Sequence, residues 1–130
     1  MRAYADTSAL AKLLKDEDGS AALQRWLVAE EPELVSSVLV RTELHRVGLA
    51  YGVPRPDVAA LLREVDLLRL TDAVLEQAER VPAAPGRTLG ALDAIHLASA
   101  QRVGLTTMVV YDQQLADAAV HHGVTVVAPR

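Results

Sequence analysis

The feature that most constrains the fold of this chain is the alternation of short apolar runs with longer segments of helical periodicity. The apolar runs predict strands at 1–5, 34–36, 67–70, 107–111 and 124–127. Helical spacing of apolar residues predicts helices at 9–14, 21–29, 38–51, 56–66, 72–81, 92–103 and 113–122. Alternating strands and helices are typical of an α/β fold, in which helices flank a central, mainly parallel sheet.

The length and composition indicate a single domain over residues 1–130. Hydrophobic residues make up 51% of the chain, which is enough for one compact core and too little for two ordinary domains. No repeat or low-complexity linker divides the sequence. The one clearly irregular stretch is 82–87, which contains two prolines and a glycine, and such a loop could border a functional site.

Composition also limits the class of protein. The chain has no cysteine, so disulfides and thiolate metal sites are excluded, and a reducing cytoplasmic setting fits. No apolar run approaches membrane-spanning length and the first residues lack a secretory signal, so we expect no membrane association. A formal net charge of −4 argues against a generally basic nucleic-acid-binding surface. A nuclease that meets phosphate through metal ions remains allowed.

Two aspartates close predicted strands. Asp6 follows the strand at 1–5, and Asp112 follows the strand at 107–111, and each precedes a helix. In a parallel sheet the carboxyl ends of the strands share one edge, where ligands bind. We therefore expect these two carboxylates to lie near each other at that edge.

Glu43 lies on a predicted helix, on a face that should point inward. It follows Val40 by three residues and precedes Val47 by four, so all three share one side of the helix. A carboxylate in that place must be paired, protonated or bound to metal, because burial of an isolated charge costs several kcal/mol. Pairing with Arg41 or Arg46 is the alternative to a functional role.

The aspartates have ordinary explanations as well. Asp112 stands where a helix N-cap belongs, Asp6 could cap the first helix, and Asp93 lies in a first helical turn, where negative charge suits the helix dipole. The combination of acids is more informative than any member. Two carboxylates about 5 Å apart repel by roughly 3 kcal/mol at an effective dielectric near 20, so four together would bind protons or a cation.

A gathering of Asp6, Glu43, Asp93 and Asp112 predicts a site for Mg²⁺ or Mn²⁺, because both ions prefer oxygen ligands. Such an ion can polarise a phosphodiester and lower the pKa of an attacking water. Metal-dependent phosphodiester hydrolysis is therefore the favoured chemistry, with the four acids as catalytic and metal-binding residues.

Four motifs resemble those of the PIN domain family, and specifically its VapC-type toxins. In chain order they are Asp6–Leu10 (DTSAL), Ser36–Leu44 (SSVLVRTEL), Leu92–Ala100 (LDAIHLASA) and Tyr111–Ala116 (YDQQLA) with Gly123 and Val124. Each motif is weak alone, but their order and separations extend the resemblance over essentially the whole chain. One departure is Val110, where the family often has a Thr or Ser two residues before the last aspartate.

The resemblance implies an endoribonuclease that uses Mg²⁺ or Mn²⁺ and forms the toxin of a toxin–antitoxin pair, with structured RNA such as tRNA or rRNA among the possible substrates. Asp6, Glu43, Asp93 and Asp112 are the matching acidic positions. It further implies homodimerisation and inhibition by a VapB-type antitoxin. Apolar residues of the first two helices, Leu13, Leu14 and Trp26, are candidate antitoxin contacts, although all three could equally be internal.

Two other functions remain open at this level. One is a PIN-like binding module for protein or RNA that has lost the chemistry. The other is a phosphatase or phosphotransferase with a strand-end aspartate as nucleophile. A haloacid-dehalogenase-like enzyme of this second kind would ordinarily have another aspartate two residues later, where this chain has Ser8.

Several further polar residues have weaker claims to a role. Thr7 and Ser8 could bind phosphate or cap the first helix, and His96 is one helical turn from Asp93 but is more typical of a packed, hydrogen-bonded histidine. Asp117 is read as a solvated helical acid. His121–His122 has no third ligand, so we expect no zinc site there.

Overall fold

Five parallel strands form the centre of the computed structural model, which describes residues 1–130. Their order across the sheet is β3-β2-β1-β4-β5. The strands are β1 (Arg2–Ala5), β2 (Glu33–Ser37), β3 (Asp66–Leu68), β4 (Thr107–Val109) and β5 (Thr125–Val127). All four strand pairings are parallel, so the prediction of a mainly parallel α/β sheet is confirmed.

Seven helices connect and cover these strands. They are α1 (Thr7–Leu14), α2 (Ser20–Glu30), α3 (Leu39–Tyr51), α4 (Arg55–Arg63), α5 (Asp72–Arg80), α6 (Ala91–Arg102) and α7 (Gln113–His121). Every predicted helix and strand is present, and most bounds agree within two residues. No helix has the length and apolar character that a membrane span requires.

The prediction was wrong about the boundary between α4 and β3. The helix was expected to continue to Asp66, but it ends at Arg63, and Asp66 already pairs with Val35 of β2. The carboxylate of Asp66 lies 3.4 Å from the guanidinium of Arg2 on β1, on the far side of β2. Sheet pairing at the edge strand therefore decides this boundary, and helical periodicity does not detect it.

Strand β1 lies in the middle of the sheet and separates two cores. Ala3 and Ala5 face a cluster formed mainly by α1 to α4, whereas Tyr4 faces a cluster formed mainly by α6 and α7. The three residues are at most 1% exposed. Successive side chains of a strand point to opposite faces, so this central strand is apolar on both sides.

The strand order reverses between β1 and β4. Strands β1, β2 and β3 follow one another in one direction, and β4 and β5 continue from the other side of β1. Ala5 pairs with Val109 at the carboxyl ends of these two strands. Ligands of open parallel sheets bind at such a reversal, so the fold places the residues after β1 and β4 where a site is expected.

We predict that the buried face of α3 contributes much more to stability than its exposed face. Leu44 is fully buried and Leu49 on the same helix is 79% exposed. Leu44→Ala should lower the free energy of unfolding by about 2–5 kcal/mol because it leaves a cavity. Leu49→Ala should change it by less than about 0.5 kcal/mol. Urea unfolding of the two variants measures both values, and equal losses would contradict the described packing of α3.

Candidate active site

Asp6 and Asp112 follow the two strands that meet at the reversal. Asp6 caps α1 by accepting a hydrogen bond from Ala9 N at 3.1 Å on its Oδ1. Asp112 caps α7 in the same way, accepting from Leu115 N at 2.9 Å. Both capping explanations are therefore correct. In each case the cap occupies Oδ1, and no protein group donates to Oδ2, so a second function is compatible with the cap.

The hydroxyl of Ser8 joins the two strand ends. Its Oγ donates to Asp6 Oδ1 at 2.6 Å and accepts from the backbone N of Tyr111 at 2.9 Å and of Asp112 at 3.3 Å. Val110 is buried and supplies no hydroxyl. In this chain the polar link between the end of β4 and Asp6 thus comes from α1.

Glu43 is held by two side chains from other helices. Its Oε1 accepts from Thr7 Oγ1 at 2.6 Å and lies 2.8 Å from His96 Nε2. Neither Arg41 nor Arg46 pairs with it. Burial alone would raise the pKa of Glu43, but the hydrogen bonds from His96 and Thr7 outweigh burial and hold the pKa below its ordinary value. Glu43 is therefore ionised at neutral pH, and its Oε2 has no protein donor.

His96 is buried, and Tyr4 fixes its other ring nitrogen. The hydroxyl of Tyr4 lies 2.7 Å from Nδ1 and accepts from Ser37 N at 3.0 Å. The ring of His96 is therefore held at both nitrogens, by the Tyr4 hydroxyl at Nδ1 and by Glu43 Oε1 at Nε2. Burial raises the pKa of Tyr4, which keeps it in the donating form.

Asp93 lies in the first turn of α6, facing the other acids. Burial raises the pKa of Asp93 to about 6, and the charges of Asp112 and Asp6 and, more weakly, Glu43 raise it in the same direction. Burial also raises the pKa of Asp6, against the hydrogen bond from Ser8 and the nearby His96. Asp93 thus lies within electrostatic reach of the other three acids.

The donor chemistry of this site fits a hard divalent cation. All four acids offer oxygen, and no lysine or arginine neutralises them. In the arrangement of the structure, however, no three acidic or histidine side chains are placed to bind one ion together. A bound ion would therefore draw the side chains closer than they lie here. The catalytic and metal-binding roles of the four acids stay predictions.

The remaining polar residues lie outside this group. Asp117 accepts from Gln113 Nε2 at 2.7 Å and lies 3.0 Å from Arg87 Nε, so it holds the loop after α5 against α7 instead of being solvated. His122 caps the end of α7 and contacts Pro82 O at 3.0 Å.

Sequence reasoning did not identify Tyr4 or Ser37 as part of the site. Tyr4 is an inward residue of a central strand, and only the position of α6 brings His96 to its hydroxyl. The spacing of His96 one turn after Asp93 was the available signal, and its interpretation as a packed, hydrogen-bonded residue is confirmed.

Comparison with known proteins identifies the family. A sequence model of the PIN domain matches residues 3–121. This chain belongs to the PIN domain family. Ribonuclease VapC47 of Mycobacterium tuberculosis (strain CDC 1551 / Oshkosh) is 40% identical over 133 residues, which cover 97% of this chain and 96% of that protein.

Two solved structures share the PIN fold of this chain. The crystal structure of Mycobacterium tuberculosis VapC20, a Sarcin-Ricin loop cleaving toxin, has a TM-score of 0.77 at 24% identity and covers 97% of this chain and 98% of that one. A toxin-antitoxin complex from Klebsiella pneumoniae has a TM-score of 0.74 at 23% identity and covers 98% of both chains. At this identity the likeness shows the fold.

We predict that Asp93 makes metal-free protein less stable as the pH rises. Its pKa is about 6 when folded and 3.8 ordinarily, so the folded state binds the proton more tightly. The stability that protonation adds is lost between about pH 4 and pH 6, and solvent screening limits the loss to roughly 1–2 kcal/mol. Asp93→Asn should therefore stabilise the protein at pH 7 but not at pH 4.

Urea unfolding in EDTA at both pH values measures this difference. Asp6 and Glu43 are present in both proteins, so the comparison isolates Asp93. An unchanged stability difference between pH 4 and pH 7 would contradict the raised pKa.

We also predict that the hydroxyl of Tyr4 stabilises the fold more than that of Tyr111. Tyr4→Phe leaves Ser37 N and His96 Nδ1 buried without their partner, which should cost about 1–3 kcal/mol. Tyr111→Phe removes one part-buried bond, to Pro129 O at 2.8 Å, and should cost about 1 kcal/mol or less. Equal losses in urea unfolding would show that the Tyr4–His96 contact contributes little.

Proposed function

We propose that this chain is an Mg²⁺-dependent endoribonuclease, with Mn²⁺ able to substitute, and that it acts as the toxin of a toxin–antitoxin pair. The observation that carries the proposal is the meeting of Asp6 and Asp112 at the strand reversal, joined through Ser8, with Asp93 and Glu43 near them and no lysine or arginine paired with any of the four. Membership of the PIN family and a 40% identical relative named as a ribonuclease support the same chemistry.

The four acids have distinguishable roles in this proposal. Asp6 and Asp112 would hold the cation through the oxygens that their helix caps leave free, Asp93 through its carboxylate in the first turn of α6, and Glu43 through Oε2. A divalent cation there supplies positive charge that polarises the phosphodiester and favours ionisation of the attacking water. The chain itself keeps Glu43 ionised through His96 and Thr7 and fixes Asp6 against Asp112 through Ser8.

Ser8 argues against the phosphotransferase alternative, because it donates its hydroxyl to Asp6 Oδ1 and leaves no second acid at this position. Ser8, which stands where a second aspartate would be needed, is itself occupied by the contacts to Tyr111 and Asp112. Metal-dependent hydrolysis uses these residues without a covalent intermediate.

An antitoxin is the expected protein partner. The structurally similar protein from Klebsiella pneumoniae is described as a toxin-antitoxin complex, and the acidic site of this chain suits a cationic side chain from a VapB-type antitoxin. Leu13, Leu14 and Trp26 pack against the core and are part-buried, so each retains an accessible portion for such a partner. Their role in binding and the homodimer stay predictions.

We predict that the protein cleaves RNA with Mg²⁺ or Mn²⁺ and that EDTA abolishes the cleavage. Asp6→Asn and Asp93→Asn should each lower the rate by more than about 100-fold, because the amide keeps the shape of the side chain and removes the charge that binds the cation. Asp16→Asn changes an exposed aspartate away from the site and should cleave like wild type. Gel analysis of a labelled RNA under matched conditions measures all four proteins.

Cleavage that persists in EDTA, or equal cleavage by wild type and Asp93→Asn, would contradict the metal-dependent mechanism. A folded wild-type protein that binds RNA or antitoxin without any cleavage would favour the inactive PIN-like binding module.

A further inference from the structure

A basic groove lies beside the candidate active site, with a volume of about 580 Å³. We define it by Arg41, His45 and Arg46 of α3, Arg55 at the start of α4 and Leu70 after β3. None of the residues that line it is acidic. The chain as a whole has 17 acidic and 13 basic residues, so the groove is a local reversal of the net charge.

The arginines of the basic groove have no partner within the chain. Arg41, Arg46 and Arg55 are exposed and take part in none of the ion pairs of the structure. Arg41, Arg46 and Arg55 line the same groove, so their positive charges converge. Three free guanidinium groups in one groove indicate an anionic ligand, since each offers a planar set of donors suited to phosphate or carboxylate.

The position of the basic groove relates it to the acids. It begins at Val38 and Leu39, directly after β2, and includes Leu70, just after β3, so it opens at the edge of the sheet where Asp6 lies. Arg41 and His45 are one helical turn apart on α3 and lie on a different side of this helix from Glu43, so the groove flanks the acids and does not include them. A strand of nucleic acid that crosses the acids can therefore continue along this groove.

We propose that the basic groove binds the phosphate backbone of single-stranded RNA next to the bond that is cleaved. This inference rests on the proposed function and names where its substrate is held. Clustered acids repel a polyanion, and a basic groove at the same sheet edge offsets that repulsion for the neighbouring phosphates. Arg41 and Arg55 would contact phosphate oxygens, and Leu70 would line the apolar wall.

Charge favours RNA over the two other ligands of such a groove, which are a second copy of the chain and a protein partner. A second copy of the chain related by a two-fold axis through the groove would place like charges against each other, because the same patch meets itself. A protein partner would need acidic side chains at the same spacing. RNA has a negative charge at every nucleotide, so RNA of any base sequence supplies anionic groups for these arginines.

The test compares two double variants that lose the same charge. Arg41→Gln/Arg55→Gln alters the basic groove. The control, Arg25→Gln/Arg102→Gln, alters exposed arginines of α2 and α6 that do not line the groove. Binding of a short fluorescent single-stranded RNA is measured by anisotropy at several salt concentrations. All proteins also carry Asp93→Asn, so that the RNA is not consumed.

Loss of two phosphate contacts should reduce the slope of log K against log salt by about 1.4 and weaken binding roughly 10- to 30-fold at about 0.1 M salt. The control pair should stay within about twofold of its parent. Because the altered arginines are exposed and unpaired, the variants should fold, as circular dichroism checks. If Arg41→Gln/Arg55→Gln does not fold, Arg46→Gln tests the same groove, with an expected slope change of about 0.7.

The outcomes separate this inference from the proposed function. If wild type cleaves RNA but the groove variant keeps its full affinity and salt slope, the groove inference is wrong and the ribonuclease proposal stands. If wild type neither binds nor cleaves RNA, both are wrong. If the groove variant binds RNA normally but loses dimerisation or antitoxin binding, the groove is a protein interface and the inference is overturned.

Discussion

The structure depends on the central position of β1, which packs on both faces and pairs with β2 and β4. Ala3 and Ala5 are small enough for α1 to lie close on one face, and Tyr4 fills the other face. The hydroxyl of Tyr4 then reaches His96 of α6, and His96 reaches Glu43 of α3. One buried strand therefore fixes the relative position of helices on both sides of the sheet.

The polar contacts of the site follow from the same arrangement. Ser8 reaches across from α1 to the backbone after β4, and Thr7 reaches Glu43, so two successive residues after Asp6 connect it to the other strand end and to α3. Capping, fold stabilisation and the proposed metal binding use different oxygens of the same carboxylates. This division explains how residues with ordinary structural roles can also serve chemistry.

The electrostatics of the molecule are uneven, and the proposed activity depends on that unevenness. Acids that have no lysine or arginine partner lie at the strand reversal. Unpaired arginines line the basic groove at the same edge of the sheet. The net charge does not reveal either feature, because it is the sum of all the charged residues. A net charge of −4 is inconsistent with a generally basic surface but allows a basic groove of a few residues.

The sequence by itself determined the α/β class, the number of strands and helices, and the placing of Asp6 and Asp112 at strand ends, because periodicity and strand-end position are local properties. Only the tertiary structure decided that β3 begins at Asp66, that Glu43 is bound by His96 and not by Arg41 or Arg46, and that Ser8 bridges two strands. These depend on contacts between residues 31 to 103 positions apart, which packing alone establishes.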